Sequence, residues 1–162
     1  SKQASTPASS STKEDTTTQS SETKQSSQQS SEKKDETETH TFVHNSNPGR
    51  TSTLTYTVKG DDVVKQEVYN VFDPEILDKS AEEIKELIVK TYKKEEGLKG
   101  ITQNIEFKDG KVIHSMEVDM TVVNLEEMKK AMPNEVSGSG SRVSFLKTRK
   151  MLKEAGYTEQ TN

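Results

Sequence analysis

Glu117 and Asp119 are the pair in this sequence best suited to acid–base work. Two residues apart on an extended strand, they project from one face about 7 Å apart. Paired carboxylates at that distance serve glycoside hydrolysis. They serve equally as a solvated strand face, and the chain has no Trp to stack on a sugar. His114 lies on the other face of the same segment, between Val112 and Met116. A buried imidazole there needs a hydrogen-bond partner and has a shifted pKa. It is either a satisfied core histidine or a ligand-facing one beneath the helices. His40 and His44, with Glu36 and Glu38 nearby, would share a metal only on a helix. Here a polar leader gives way to a strand, so they read as incidental. Ser137-Gly138-Ser139-Gly140-Ser141-Arg142 precedes a helix, where backbone N–H groups and Arg142 could hold an anion. The stretch lacks the Walker lysine and dinucleotide spacing, which favours a flexible connector. Lys147, Arg149, Lys150 and Lys153 would suit an acidic wall polymer or lipid headgroup, or simply a solvated helix face. Met116, Met120, Met128, Met132 and Met151 fall at buried-pattern positions and read as core. The chain has no cysteine, no serine in a nucleophile elbow and no D-x-D-x-D-G loop, so no catalytic residue, metal or cofactor is expected.

The elements that position these residues can be read from periodicity. Thr41–His44 is a short strand, followed by Asn45-Ser46-Asn47-Pro48-Gly49 turn chemistry. In Thr51–Lys59, Leu54, Tyr56 and Val58 alternate with Thr53, Thr55 and Thr57, as a half-buried strand requires. Val63–Phe72 has no clean face, which fits a strand covered on both sides or one carrying a bulge. Ser80 and Glu83 form a capping box for a helix whose stripe is Ile84, Leu87, Ile88, Thr91 and Tyr92. Asp109-Gly110 joins strands at Ile101–Lys108 and Lys111–Val123. Asn124 and Glu127 start a short helix ending before Pro133, and a last helix spans about Arg142–Ala155. The order β-β-β-α-β-β-α-α predicts an α+β fold: an antiparallel sheet of four to five strands with three helices packed on it.

Composition divides the chain. Residues 1–40 contain two apolar residues, Ala4 and Ala8, and 24 are Ser, Thr or Gln. Such a stretch has too little apolar surface to offset the entropy of ordering it. The expected organisation is a disordered spacer over 1–40 and a folded domain over 41–162. No run of apolar residues is long enough for a membrane-spanning helix. The net charge of −4 is spread over both parts, which excludes a basic footprint for nucleic acid.

The opening stretch resembles the spacer that follows the lipidated cysteine of bacterial lipoproteins, particularly Gram-positive ones. The resemblance implies that a signal peptide and anchor cysteine preceded Ser1. A coil of this length spans very roughly 35 Å, enough to lift a domain off a bilayer. The segment Leu54-Thr55-Tyr56-Thr57-Val58-Lys59-Gly60-Asp61-Asp62-Val63-Val64-Lys65-Gln66 resembles the signature hairpin of the YehR-like lipoproteins, the DUF1307 family. Glu117-Val118-Asp119-Met120 and the ending Lys150-Met151-Leu152-Lys153-Glu154-Ala155-Gly156-Tyr157 resemble the same family. It implies a small α+β domain on a lipid-anchored envelope protein at the extracellular face of the cell membrane, and no activity.

The expected function is therefore a non-enzymatic binding or accessory module, monomeric, acting on an unidentified ligand or envelope protein. The binding candidates are His114, Glu117, Asp119 and Arg142. The alternative is an envelope hydrolase acting on wall glycan or peptide through Glu117, Asp119 and His114, which requires those groups to converge in one pocket.

Overall fold

A computed structural model describes residues 36–138 and 142–161. The expected disorder of residues 1–35 and the Ser139–Ser141 part of the Ser-Gly loop lie outside the described residues, whereas Glu38–His40, expected in the leader, belong to the first strand, where they pair with Val58, Thr57 and Tyr56. Thr37–Asn162 forms one compact unit. Its strands are β1 (Glu38–His44), β2 (Arg50–Lys59), β3 (Asp62–Phe72), β4 (Ile101–Lys108), β5 (Lys111–Asp119) and β6 (Thr158–Glu159). Its helices are α1 (Pro74–Leu77), α2 (Ala81–Thr91), α3 (Leu125–Ala131) and α4 (Phe145–Glu154). All pairings are antiparallel, in the order β4-β5-β3-β2-β1-β6. The fold is α+β as expected, with one more strand and one more helix than the periodicity showed.

Strand alternation sorts side chains onto two faces. Leu54, Tyr56 and Val58 of β2, Val68 of β3 and Met116 and Val118 of β5 point inward and are buried. α2, α3 and α4 add Ile84, Ile88, Met128, Phe145 and Leu152 to the same core. Thr53, Thr55 and Thr57 point to the other, open face. β3 lacks a clean face because its register with β2 slips between Thr57 and Val58, leaving Val64 without an opposite residue. Past this bulge the inward set changes from Val63 to Gln66, Val68 and Asn70.

Helix starts follow their caps. Ser80 and Glu83 make the reciprocal capping box of α2, and Asn124 Oδ1 accepts from the amides of Glu126 and Glu127 at the start of α3. α4 begins at Phe145, behind the cap Ser144, rather than at Arg142. Leu87, expected on the buried stripe of α2, is 49% exposed; only Ile84, Ile88 and Tyr92 reach the sheet. β5 stops at Asp119, not Val123. Asp119 Oδ1 accepts from the Thr121 amide (3.0 Å) and hydroxyl (2.6 Å), which turns the chain out of the ladder.

Candidate functional site

The structure separates His114 from the two carboxylates that a hydrolase would need beside it. Glu117 projects from the open face of the sheet, with its side chain 56% exposed and Lys65 Nζ at 3.8 Å. Asp119 is on that face too, and its hydrogen bonds from Thr121 hold its carboxyl below the usual range. His114 points the opposite way and is fully buried. Arg142 does not frame an anion loop. It pairs with Asp61 (3.0 Å) and Asp62. Asp61 also accepts from Ser144 Oγ (2.7 Å) and the Leu146 amide (2.8 Å). The place an anion would take at the start of α4 is filled by the protein's own carboxylate.

His40 and His44 are both on β1, four residues and so about 13 Å apart along the strand. They cannot share an ion. His40 stacks on Phe145 with ring centroids 4.3 Å apart and pairs with Glu159 at 3.3 Å. His44 lies 5.1 Å from the Tyr157 ring. Among the described residues no group of three or more His, Cys, Asp or Glu could hold a metal. Of the five methionines expected in the core, Met116, Met120, Met128 and Met132 are buried and Met151 is half-buried.

Sheet register gathers polar residues that the linear sequence scatters. His114, Asn70, Ser52 and His44 are directly opposed on four adjacent strands. The neighbouring row, Met116, Val68, Leu54 and Phe42, is apolar. The row beyond it is Val118, Gln66, Tyr56 and His40. The first polar row is closely bonded. Burial holds the His114 imidazole down to about pH 4, with the Arg50 charge adding to the effect, so the ring is neutral at physiological pH. One nitrogen then donates and the other accepts. Nδ1 accepts from Asn70 Nδ2 (3.1 Å) and Nε2 donates to Gln103 Oε1 (2.8 Å). Asn70 Nδ2 also reaches the Tyr92 hydroxyl (3.1 Å), and Asn70 Oδ1 accepts from Ser52 Oγ. Every ring position is committed, leaving His114 no free nitrogen for a ligand.

The second polar row meets the loop after α3. Tyr56 donates to the Glu135 carbonyl, and Gln66 Nε2 donates to Glu135 Oε1 (3.2 Å). Burial pushes the Glu135 carboxyl up to about 7, and the nearby Glu95 charge adds to it. Glu95 is the odd member. It is 2% exposed, and its Oε1 has no hydrogen-bond partner. Burial raises its pKa as well. Sequence reasoning missed it because it stands in an exposed-looking run, Lys93-Lys94-Glu95-Glu96. A short 3₁₀ turn over Lys93–Glu95 rolls this one carboxylate inward.

Two hollows, similar in size, are larger than the others around the described residues. One, about 410 Å³, lies on the open sheet face and includes Glu117, Glu67, Tyr69 and Thr53. Lys65 bridges its two carboxylates, at 3.9 Å from Glu67 and 3.8 Å from Glu117. The other, also about 410 Å³, is a cleft between α2 and β4. Val89 and Tyr92 line one side, Ile101, Gln103 and Ile105 the other, with Glu95 at the same site. A smaller hollow of about 120 Å³ borders it at Lys85 and Ile105 and reaches Phe107. The cleft is the better candidate because it alone of the two contains a buried carboxylate oxygen without a partner, and such groups are costly unless something binds them.

Comparison with known proteins places this geometry in context. A family model described as a protein of unknown function, DUF1307, matches residues 38–158. An uncharacterized lipoprotein of Listeria monocytogenes, Lmo0207, is 38% identical over 128 residues, covering 78% of this chain and 82% of its own length. Lin0239 of Listeria innocua, also an uncharacterized lipoprotein, is 36% identical over 127 residues, covering 77% and 82%. The solution structure of the Escherichia coli YehR protein superposes with a TM-score of 0.63 at 21% identity, covering 77% of this chain and 91% of that one. A Streptococcus pneumoniae protein superposes with a TM-score of 0.51 at 17% identity, covering 76% and 85%. These two likenesses establish the fold.

Proposed function

The chain belongs to the DUF1307 family of proteins of unknown function, and from that membership we propose that it is an envelope lipoprotein whose domain binds a ligand or partner without catalysing a reaction. Its lipoprotein relatives support the placement at the membrane. In this reading the polar stretch ahead of β1 is the spacer, the unit that begins at Thr37 is the binding domain, and a lipid anchor ahead of the spacer holds the protein on the outer face as a monomer. The Ser, Thr and Gln content of the spacer supports that role. The near-balanced charge argues against a nucleic-acid partner.

One observation carries the binding reading: the α2–β4 cleft contains the buried Glu95 carboxylate, whose Oε1 has no hydrogen-bond partner. The hydrolase alternative loses His114, which is buried on the face opposite Glu117 and Asp119, and keeps only those two carboxylates on the open face. The test is a thermal-shift panel of the full chain against wall glycan fragments, wall peptides, divalent metals and lipid vesicles, with product analysis of each mixture. A ligand that binds the folded state raises Tm by mass action. The expected result is a rise in Tm with no product. Product that disappears in Glu117→Gln would refute the reading.

A further inference from the structure

β4 is the end strand of the sheet, and its outer edge pairs with no strand among the described residues. Proteins usually blunt such an edge with shortness, proline, a bulge or inward-pointing charge, because unpaired N–H and C=O groups recruit further strands. The opposite edge follows that rule, since β6 is two residues long. β4 does not. Its register with β5 is unbroken over eight residues, it contains no proline, and its charges, Glu106 and Lys108, are confined to its C-terminal end. The side chains it turns toward the helices are Ile101, Gln103, Ile105 and Phe107. Phe107 is 64% exposed, and Val89 on α2 is 47% exposed.

A helix lying beside an open sheet edge forms a groove for an extended segment. Main-chain bonds to the edge hold the segment, and every second side chain enters the space beneath the helix. The α2–β4 cleft and its neighbour at Phe107 have that layout. Glu95 adds a chemical preference, because a buried carboxylate oxygen without a donor is satisfied best by a cation. Resting on the reading of this domain as a binding module, we infer that the cleft takes an extended peptide as a seventh strand beside β4, with a lysine, arginine or amino-terminal ammonium of that peptide paired to Glu95.

The chain's own leader does not suit this place. An added strand must turn alternate apolar side chains under α2, and residues 1–40 contain only Ala4 and Ala8. A second copy would bring its own α2 to the same face beside the first, whereas a single extended chain needs only the width of one strand, roughly 5 Å.

The test is selection of random octapeptides displayed on phage against the immobilised full chain. The selected sequences are then synthesised for titration and for amide-shift mapping by NMR. Peptides with alternating apolar residues and a basic group are expected to be enriched and to shift amides of β4 and α2. Their Kd should weaken at least tenfold in Glu95→Gln and in Val89→Glu, and stay unchanged in Glu117→Gln. Val89 is half exposed, so Val89→Glu should keep the Tm of the parent chain and report on the groove alone. Failure to enrich any peptide, or enriched peptides that bind both groove variants as tightly as the parent, would overturn the inference. A dimer in sedimentation equilibrium that Val89→Glu dissociates would assign the groove to a second copy, which also overturns it. A ligand that raises Tm without turnover but shifts only the open sheet face would overturn this inference while leaving the binding reading intact.

Discussion

The two buried polar rows oppose each other in their response to pH, and removing either one should reveal the other. His114 has its folded pKa lowered from 6.5 to about 4. Below pH 6.5 the unfolded chain takes up a proton at this imidazole and the folded chain does not, so stability falls as pH drops from 6.5 toward 4. Glu135 has its folded pKa raised from 4.5 to about 7. Above pH 4.5 the unfolded chain releases a proton that the folded chain keeps, so stability falls as pH rises from 4.5 toward 7. Each shift of about 2.5 units corresponds to about 3 kcal/mol in total, at about 1.4 kcal/mol per pH unit within its window. Between pH 4.5 and 6.5 the slopes have opposite signs and nearly cancel. Urea unfolding of the parent chain, Glu135→Gln and His114→Gln at half-unit steps over this range separates them. Relative to the parent, Glu135→Gln should gain stability with rising pH by about 1 kcal/mol per unit, and His114→Gln should lose it by about the same amount. Titrating groups remote from the two sites are common to all three chains and drop out of the differences; Glu95, whose charge bears on Glu135, does not. Both variants start from a lower baseline, because each disturbs a buried network, so only the slope is informative. A pH-independent difference for both variants would refute the assignment of these two groups as buried and oppositely shifted.

Two further perturbations test how the helices and the second polar row are held. Asp61, in the β2–β3 turn, accepts from the Leu146 amide, Ser144 and Arg142, so Asp61→Asn should cost about 1–2 kcal/mol and speed amide exchange in the first turn of α4 while leaving α2 unchanged. Tyr56→Phe should cost about 1–2 kcal/mol by urea unfolding, because it removes the buried hydroxyl that donates to the Glu135 carbonyl without changing the shape of the ring.

Much of the architecture could be read from local pattern because local chemistry decides it. The Thr/apolar alternation of β2, the Asp109-Gly110 turn and the Ser80–Glu83 box are short-range signals, and each element formed where its signal lay. The departures arise where a longer-range or side-chain effect wins. β6 is two residues long and exists only because β1 offers an edge to Thr158 and Glu159. Val122 continues the β5 alternation in sequence, yet it is 45% exposed, because the Asp119 side chain ends the strand first. Gly156 reads as a helix stop, but a Cβ there would lie 3.2 Å from His44 Nε2, so it also clears space for a neighbouring strand. The candidate site was less legible still. Of the four residues singled out, His114 alone faces the core beneath the helices, and it serves the network rather than a ligand. Glu95 and Gln103 carry no motif at all, and their meaning comes from a 3₁₀ turn and an edge register that no window of sequence encodes.

Gln103 joins the buried network to the cleft. Its Oε1 accepts from His114 Nε2, its Nε2 reaches the Tyr92 carbonyl at 3.4 Å, and it stands on the edge strand that lines the cleft. The polar row therefore runs from Ser52, which bonds Asn70 beside the His44–Tyr157 ring contact, to the floor of the candidate groove. A one-residue slip of β4 along β5 would already turn Ile101 and Ile105 to the open face. The polar row adds to that cost, because the same slip turns Gln103 outward and leaves His114 Nε2 buried without an acceptor. The polar row thus helps fix the register of the very strand whose outer edge is free. That gives a physical reason for a fully bonded histidine in this core: its directional bonds help hold in register an edge strand that has a partner on one side only among the described residues.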